Sequence, residues 1–244
     1  MKYIHSCNLR TKIILGTFTA VLALTLGLIF GFTFGSSPRK ISILPLGDSI
    51  TFGSGPDPIG YRIPMLVALN QYTRYQSIGP RKDGPDYVPD WMKHHAGYRG
   101  WTISMVDERA FPEINTLKPD IITLHIGTND CGQQLPTATV MEARIQKLLE
   151  HIFVCFPATH LFLASTILPG AQFPDWVACI RQFNYRLPGI VAEFNTSGFK
   201  IHYVPMAEEN PTLELCTDGI HPSASGNLQM AASFSLAIAN SYET

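Results

Sequence analysis

Five short runs of strand-forming residues alternate along this chain with segments of helical periodicity, and no other feature narrows its possible folds as much. The first run sets Ile41, Ile43, Leu44 and Leu46 ahead of the small-residue turn Gly47-Asp48-Ser49. Such near-continuous apolar character is what a strand covered on both faces requires. Further strands are expected over residues 75–78, 120–127, 161–167 and 200–204. Between them, residues 61–70 carry Ile63, Leu66, Val67 and Leu69 at helical spacing, with Pro64 in the first turn, where proline is tolerated. Helices are also expected over residues 102–111, over 137–156 (Val140, Ile145, Leu148, Leu149, Ile152) and over 176–194, where Pro188 should break or kink the helix. A terminal helix after Pro222 would bury Leu228, Met230, Ala231, Phe234 and Ile238. Residues 79–97, rich in proline, glycine and aspartate, read as a loop.

Alternating strands and helices imply a parallel sheet covered on both faces. The expected fold is a three-layer α/β/α sandwich of flavodoxin-like type, with about five parallel strands, over residues 41–244. Right-handed crossovers bring the carboxyl ends of the strands to one edge, where such sheets bind ligands. The chain's 244 residues, net charge of −1 and 45% hydrophobic content suit one globular domain with an attachment. That charge balance argues against nucleic acid as the main partner, and a monomer is expected.

The attachment is residues 1–40. Lys2, Arg10 and Lys12 precede an uncharged, mostly apolar run over residues 13–35, and Arg39 and Lys40 follow it. The run has the length of a membrane span and lacks a clear Ala-x-Ala cleavage site, so an uncleaved anchor is expected, with a cleaved signal as the alternative. Either way the domain is exported. Cys131, Cys155, Cys179 and Cys216 then lie in an oxidising compartment, with three pairings open and Cys155 also readable as a buried free thiol. Their spacing fits no zinc pattern.

Four small polar clusters fall at the ligand-binding edge: Gly47-Asp48-Ser49, residues 97–102, Gly127-Thr128-Asn129-Asp130, and Asp218-Gly219-Ile220-His221. Acyl transfer by a serine needs a base, a group that orients the base, and donors for the oxyanion. Ser49 as nucleophile, His221 as base and Asp218 as its partner would meet the first two needs. The N–H groups of Ser49 and Gly100 and the Asn129 side chain would meet the third. Each has a plainer reading: a turn serine, a capping aspartate, an Asx-turn, or a glycine at positive φ. Asp48 reads as a brace for the Ser49 turn, and His125 as a core hydrogen-bonding residue. His94 and His95 find no matching metal ligands downstream and read as loop or pocket-wall residues. Trp91 and Trp101 are candidates to stack a sugar ring or to pack within their loops, and Arg62 to make a structural salt bridge or to pair with Asp48 or a substrate carboxylate.

These blocks resemble the SGNH (GDSL-type) hydrolase superfamily, in order and spacing: Ser49 in GDSIT, Gly100 in GYRGWT, Asn129 in GTND and His221 in DGIHP. The resemblance covers nearly all of residues 41–244 and implies an esterase or lipase-like hydrolase that needs no metal or cofactor, with Ser49, His221 and Asp218 in the roles above. Within the superfamily the wording is most similar to carbohydrate esterase family three, the acetyl xylan esterase group: GDSITFG, then Gly60-Tyr61-Arg62, the segment from His95 to Thr102, LHIGTND and DGIHP. It departs from the general pattern at His95, where asparagine is usual two residues before the first glycine of the second block. The implied function is removal of small acyl groups, acetyl above all, from a carbohydrate. A lysophospholipase or lipid esterase and a non-catalytic sugar-binding module on the same scaffold stand as alternatives.

Overall fold

The computed structural model describes residues 39–244, apart from 56–57, 72–73 and 243–244. The expected anchor or signal therefore lies outside the described residues. Residues 40–244 form one compact unit.

Strand β1 (Ile41–Gly47) is the centre of the molecule and ends on the short helix α1 (Ser49–Phe52). Helix α2 (Arg62–Leu69) leads to β2 (Tyr75–Ser77), then to β3 (Arg81–Lys82), a 3-10 turn (Asp90–Met92) and β4 (His94–Gly97). Then come α3 (Ile103–Arg109), α4 (Phe111–Ile114), β5 (Ile121–His125), α5 (Thr128–Gln133) and α6 (Ala138–Cys155). Strand β6 (His160–Ala164), α7 (Pro174–Thr196), β7 (Ile201–Val204), α8 (Met206–Glu209) and α9 (Ala224–Tyr242) complete the chain.

The sheet has seven strands in the order β3-β4-β1-β5-β6-β7, with β2 also paired to β1. All pairings are parallel except that between β3 and β4. The expected sandwich is present, with one correction to the count of about five: β3 and β4 arise within residues 79–97, read as a loop. Two and four residues long (Arg-Lys and His-His-Ala-Gly), they carry no apolar run for a sequence pattern to register. Helices α3, α6 and α7 cover one face, packing Ile103, Val106, Ile145, Leu149, Phe183 and Leu187 on Leu44, Leu46, Ile122 and Leu124. Helices α2 and α9 cover the other, packing Leu66, Met230 and Phe234 on Ile43, Ile121 and Phe162.

Three helical expectations need correction. Helix α7 runs without interruption through Pro188, which is exposed while Ile180, Phe183, Leu187 and Ile190 are buried. The proline withholds one helical hydrogen bond, from the carbonyl of Asn184, and the packing of the buried face holds the helix together. Val140 and Leu228 are 41% and 60% exposed, because the inward stripes of α6 and α9 pass through Met141 and Met230.

Close approach at the strand ends explains two glycines. Gly47 and Gly97 are paired partners on β1 and β4. A Cβ on Gly47 would lie 2.2 Å from the His125 carbonyl oxygen, and one on Gly97 would lie 2.4 Å from the Phe52 nitrogen. Only bare backbone lets α1 fold back over these ends and present Ser49 at the sheet's carboxyl edge.

Candidate active site

Ser49 is the first residue of α1, whose N-cap is Asp48: Asp48 Oδ1 accepts the Ile50 N–H at 2.9 Å. Across the edge, the turn before α9 carries Asp218 and His221. Asp218 Oδ1 accepts the N–H groups of Ile220 (2.8 Å) and His221 (3.0 Å), while its Oδ2 lies 2.7 Å from His221 Nδ1. His221 Nε2 lies 3.0 Å from Ser49 Oγ. A carboxylate cannot donate, so Nδ1 carries the ring proton and Nε2 is left to accept from the serine hydroxyl. Burial works against charge on Asp218, but the His221 ring and the two N–H groups outweigh it and hold the carboxyl below its usual range. Thus three residues from two distant segments meet in one hydrogen-bonded chain.

Gly100 and Asn129 stand beside it. Gly100 has φ +75° and open space where a Cβ would be, so the turn requires glycine there whatever else the residue does. Asn129 Nδ2 donates to the Trp101 carbonyl at 3.0 Å, which leaves its second hydrogen uncommitted. Helix α5 grips the glycine loop at two further points: Gln133 Nε2 donates to the Gly100 carbonyl (3.0 Å), and Asp130 Oδ2 accepts the Ile103 N–H (2.8 Å). Asp130 is itself held by Arg144 at 2.7 Å. Burial raises the Asp130 pKa, and the Ile103 and Arg144 contacts oppose that shift. The sequence reading named Asn129 and missed Asp130, Gln133 and Arg144. Asp130 sits in the same block, but nothing in the sequence links α5 to an arginine on α6.

His95, which stands where asparagine is usual, has a defined job. Its Nδ1 accepts the Gly97 N–H at 3.0 Å, so Nε2 carries the proton and donates to Asp83 at 3.2 Å. Burial, with Arg62 and Arg81 nearby, pushes its pKa down to about 2 and keeps it neutral. His94, its neighbour on β4, bonds the Gly79 carbonyl instead. The rings of consecutive strand residues point to opposite faces. Among the described residues no group of three or more His, Cys, Asp or Glu side chains is arranged around a metal position. His125 accepts the Ile167 N–H at 3.2 Å, as expected of a core histidine.

Two substrate candidates are corrected. Arg62 is fully buried and donates to the carbonyls of Phe52, Asp83 and Lys93 at 3.0 to 3.2 Å, so it braces loops and reaches neither Asp48 nor a substrate. Trp91 lies by Lys40, ahead of β1 and at the far end of that strand from Ser49. Trp101 is half-buried beside Gly100 and stacks on Tyr98 at 4.0 Å. A groove of 760 Å³ between α2 and α9, lined by Leu69, Asn210, Ser233 and Leu236 among others, shares no residue with the Ser49 cluster.

Cys131 and Cys179 form a disulfide between α5 and α7, while Cys155 and Cys216 make no disulfide among the described residues. The bond fastens the helix that grips the glycine loop. On the opposite wall, the Gly170 N–H donates to the Gly219 carbonyl at 2.7 Å and steadies the His221 turn.

Residues 46–228 match the model of the GDSL-like Lipase/Acylhydrolase family. The chain belongs to this family. Its relatives include ester hydrolases, and it is similar to members of carbohydrate esterase family three. It is 30% identical over 250 residues to a multidomain esterase of Ruminococcus flavefaciens, an alignment covering 88% of this chain and 31% of that protein. The chain also spans 49% of the length of a second curated relative. Among solved structures it resembles a Clostridium thermocellum family 3 carbohydrate esterase, with 29% identity, a TM-score of 0.70, and coverage of 83% of this chain and 96% of the other. The fold is shared with Axe2, an acetylxylan esterase of Geobacillus stearothermophilus (20% identity, TM-score 0.59, coverage 81% and 94%).

Asp48 places a buried acid next to Ser49. Its side chain is inaccessible, with the Thr128 hydroxyl the polar side-chain group beside it. Burial raises its pKa to about 7; the Ile50 N–H opposes the shift and Asp130 adds to it. The native state therefore holds a proton that the unfolded chain has released above its ordinary value of 3.8. Stability is expected to fall as pH rises from about 4 to about 7 and to level off above. Relative to wild type, Asp48→Asn should gain on the order of 3 kcal/mol between about pH 4 and pH 8. Urea unfolding at both pH values measures this, and parallel pH profiles would refute the buried proton.

Proposed function

We propose that the protein is a serine esterase that removes small acyl groups, acetyl above all, from a carbohydrate through an acyl-enzyme. The observation that carries the reading is the hydrogen-bonded chain from Asp218 through His221 to Ser49 Oγ. His221 Nε2 takes the serine proton as Oγ attacks the ester carbonyl. The oxyanion is met by the Ser49 and Gly100 N–H groups and the free Asn129 hydrogen, donors worth on the order of 10²–10³ in turnover apiece. His221 then gives its proton to the departing sugar oxygen. Water, deprotonated by the same nitrogen, cleaves the acyl-serine and releases the acid. Trp101, half-exposed beside Gly100, offers a ring face to the sugar.

The acetyl and carbohydrate parts of the reading are supported by the 29% identity with a family 3 carbohydrate esterase. Export is supported by the Cys131–Cys179 disulfide, since such bonds persist in oxidising compartments. Residues 1–40, with their apolar run between basic flanks, would then serve as the membrane anchor. The test is an ester panel on the full chain. Acetylated xylo-oligosaccharide and 4-nitrophenyl acetate should be hydrolysed, with kcat/KM falling from acetate to octanoate. Preference for octanoate would transfer the site to lipid substrates, and sugar binding without turnover across the panel would make it a binding module.

A further inference from the structure

The turn that presents Gly100 also carries a cation with nothing to bind in a neutral acetyl ester. The Trp101 N–H bonds the Tyr98 carbonyl at 3.2 Å, which makes Arg99 and Gly100 the two corner residues. The turn is pinned from both sides, by the Tyr98 N–H on the Gly47 carbonyl (3.0 Å) and by Gln133 on the Gly100 carbonyl (3.0 Å). Arg99 is exposed, and its guanidinium carbon lies 4.0 Å from the Phe52 ring centroid. Phe52 is on α1, three residues after Ser49, and residues so spaced are neighbours on one helix face. The cation is thus held beside the nucleophile's helix, one residue from an oxyanion donor.

Three other arginines have polar partners, and Arg81 lies over the Tyr98 ring at 4.6 Å. Arg144 is on Asp130, Arg186 on Glu142, and Arg62 on three carbonyls. Arg99 has no carboxylate partner among the described residues; the contact that holds it is the face of Phe52. A guanidinium stacked on a ring keeps its N–H edges free, and that planar fork matches a carboxylate. Because the stack has already restricted the side chain, binding there forfeits less conformational freedom.

We propose that Arg99 is a specificity residue that binds a sugar carboxylate, so that the preferred substrate is an acylated glycan containing uronic acid residues; this rests on the esterase reading of the Ser49 site. The experiment uses the full chain with Ser49→Ala, which separates binding from turnover. Calorimetry with tetragalacturonate and with neutral xylotetraose should give at least about tenfold tighter binding of the acidic oligosaccharide at low salt, as expected of a fixed charge-assisted pair. The preference should shrink when ionic strength rises from about 0.01 M to about 0.5 M, where the Debye length falls to a few ångströms. Adding Arg99→Gln should abolish it, and Arg99→Lys should restore part of it. Equal affinities, no binding of tetragalacturonate at about 10 mM, or a preference that survives Arg99→Gln would each overturn the proposal. Wild-type turnover of 4-nitrophenyl acetate is measured alongside, so failure of the esterase reading registers separately from failure of the Arg99 assignment.

Discussion

Ser49→Ala lowers kcat on 4-nitrophenyl acetate by on the order of 10⁴-fold or more, His221→Ala does the same, and the double variant is no worse than either. The reason is the single contact between Ser49 Oγ and His221 Nε2 at 3.0 Å. A hydroxyl is a poor nucleophile until a base takes its proton, and a base with nothing to deprotonate contributes nothing. The two groups act as one device, so their losses do not multiply. Residual rate over water would come from the donors at Gly100 and Asn129, which both variants keep. Thermal unfolding should move little, because neither side chain belongs to the two apolar clusters. Losses that multiplied in the double variant, or a Ser49→Ala protein as active as wild type, would dismantle the mechanism.

Gly97→Ala should carry a large stability effect for one added methyl group. The new carbon would meet the Phe52 nitrogen at 2.4 Å, the Phe52 Cα at 2.8 Å and the Thr51 carbonyl carbon at 2.8 Å. All three atoms are backbone of α1, so no side chain can swing away, and the helix or β4 must shift. Overpacking of this kind costs on the order of 3 kcal/mol. The displaced element carries Ser49, and misplacing a reacting atom by an ångström costs about 10²-fold in turnover. Urea unfolding and kcat on 4-nitrophenyl acetate measure the two effects. Gly189→Ala is the control: it is exposed on α7 with nothing within 4 Å, and should be neutral or stabilising by up to about 1 kcal/mol. Similar behaviour of the two variants would show that the strand ends have room to spare.

The parts of this molecule that announce themselves in the sequence are those with a local signature. Strands β1, β5 and β6 are apolar runs because both faces are covered, and each ends in small polar residues because the chain turns there. The Asp218–His221 turn is equally visible, since the carboxylate orients an imidazole only three residues away. Strands β3 and β4 escaped because Arg81–Lys82 and His94–Gly97 are too short and too poor in apolar side chains to leave a periodic signal. The burial of Arg62 escaped because three loop carbonyls, rather than a carboxylate, satisfy it, and no residue spacing encodes that. The pairing of Cys131 with Cys179 was open among three choices until α5 and α7 were packed together. What sequence spacing withholds, in each case, is contact between segments whose separation in the chain has no period.

That sulfur bond closes a ring of chain containing α6 and β6, the passage from the Asn129 corner to the next strand of the sheet. With the ring shut, the unfolded polypeptide has fewer arrangements to search, an advantage of about 4 kcal/mol in the loop-closure account for a separation of 48 residues. Chain synthesised where thiols stay reduced would assemble its Asn129 corner without that head start, so the site's precision depends on the redox conditions under which it was made as well as on its residues.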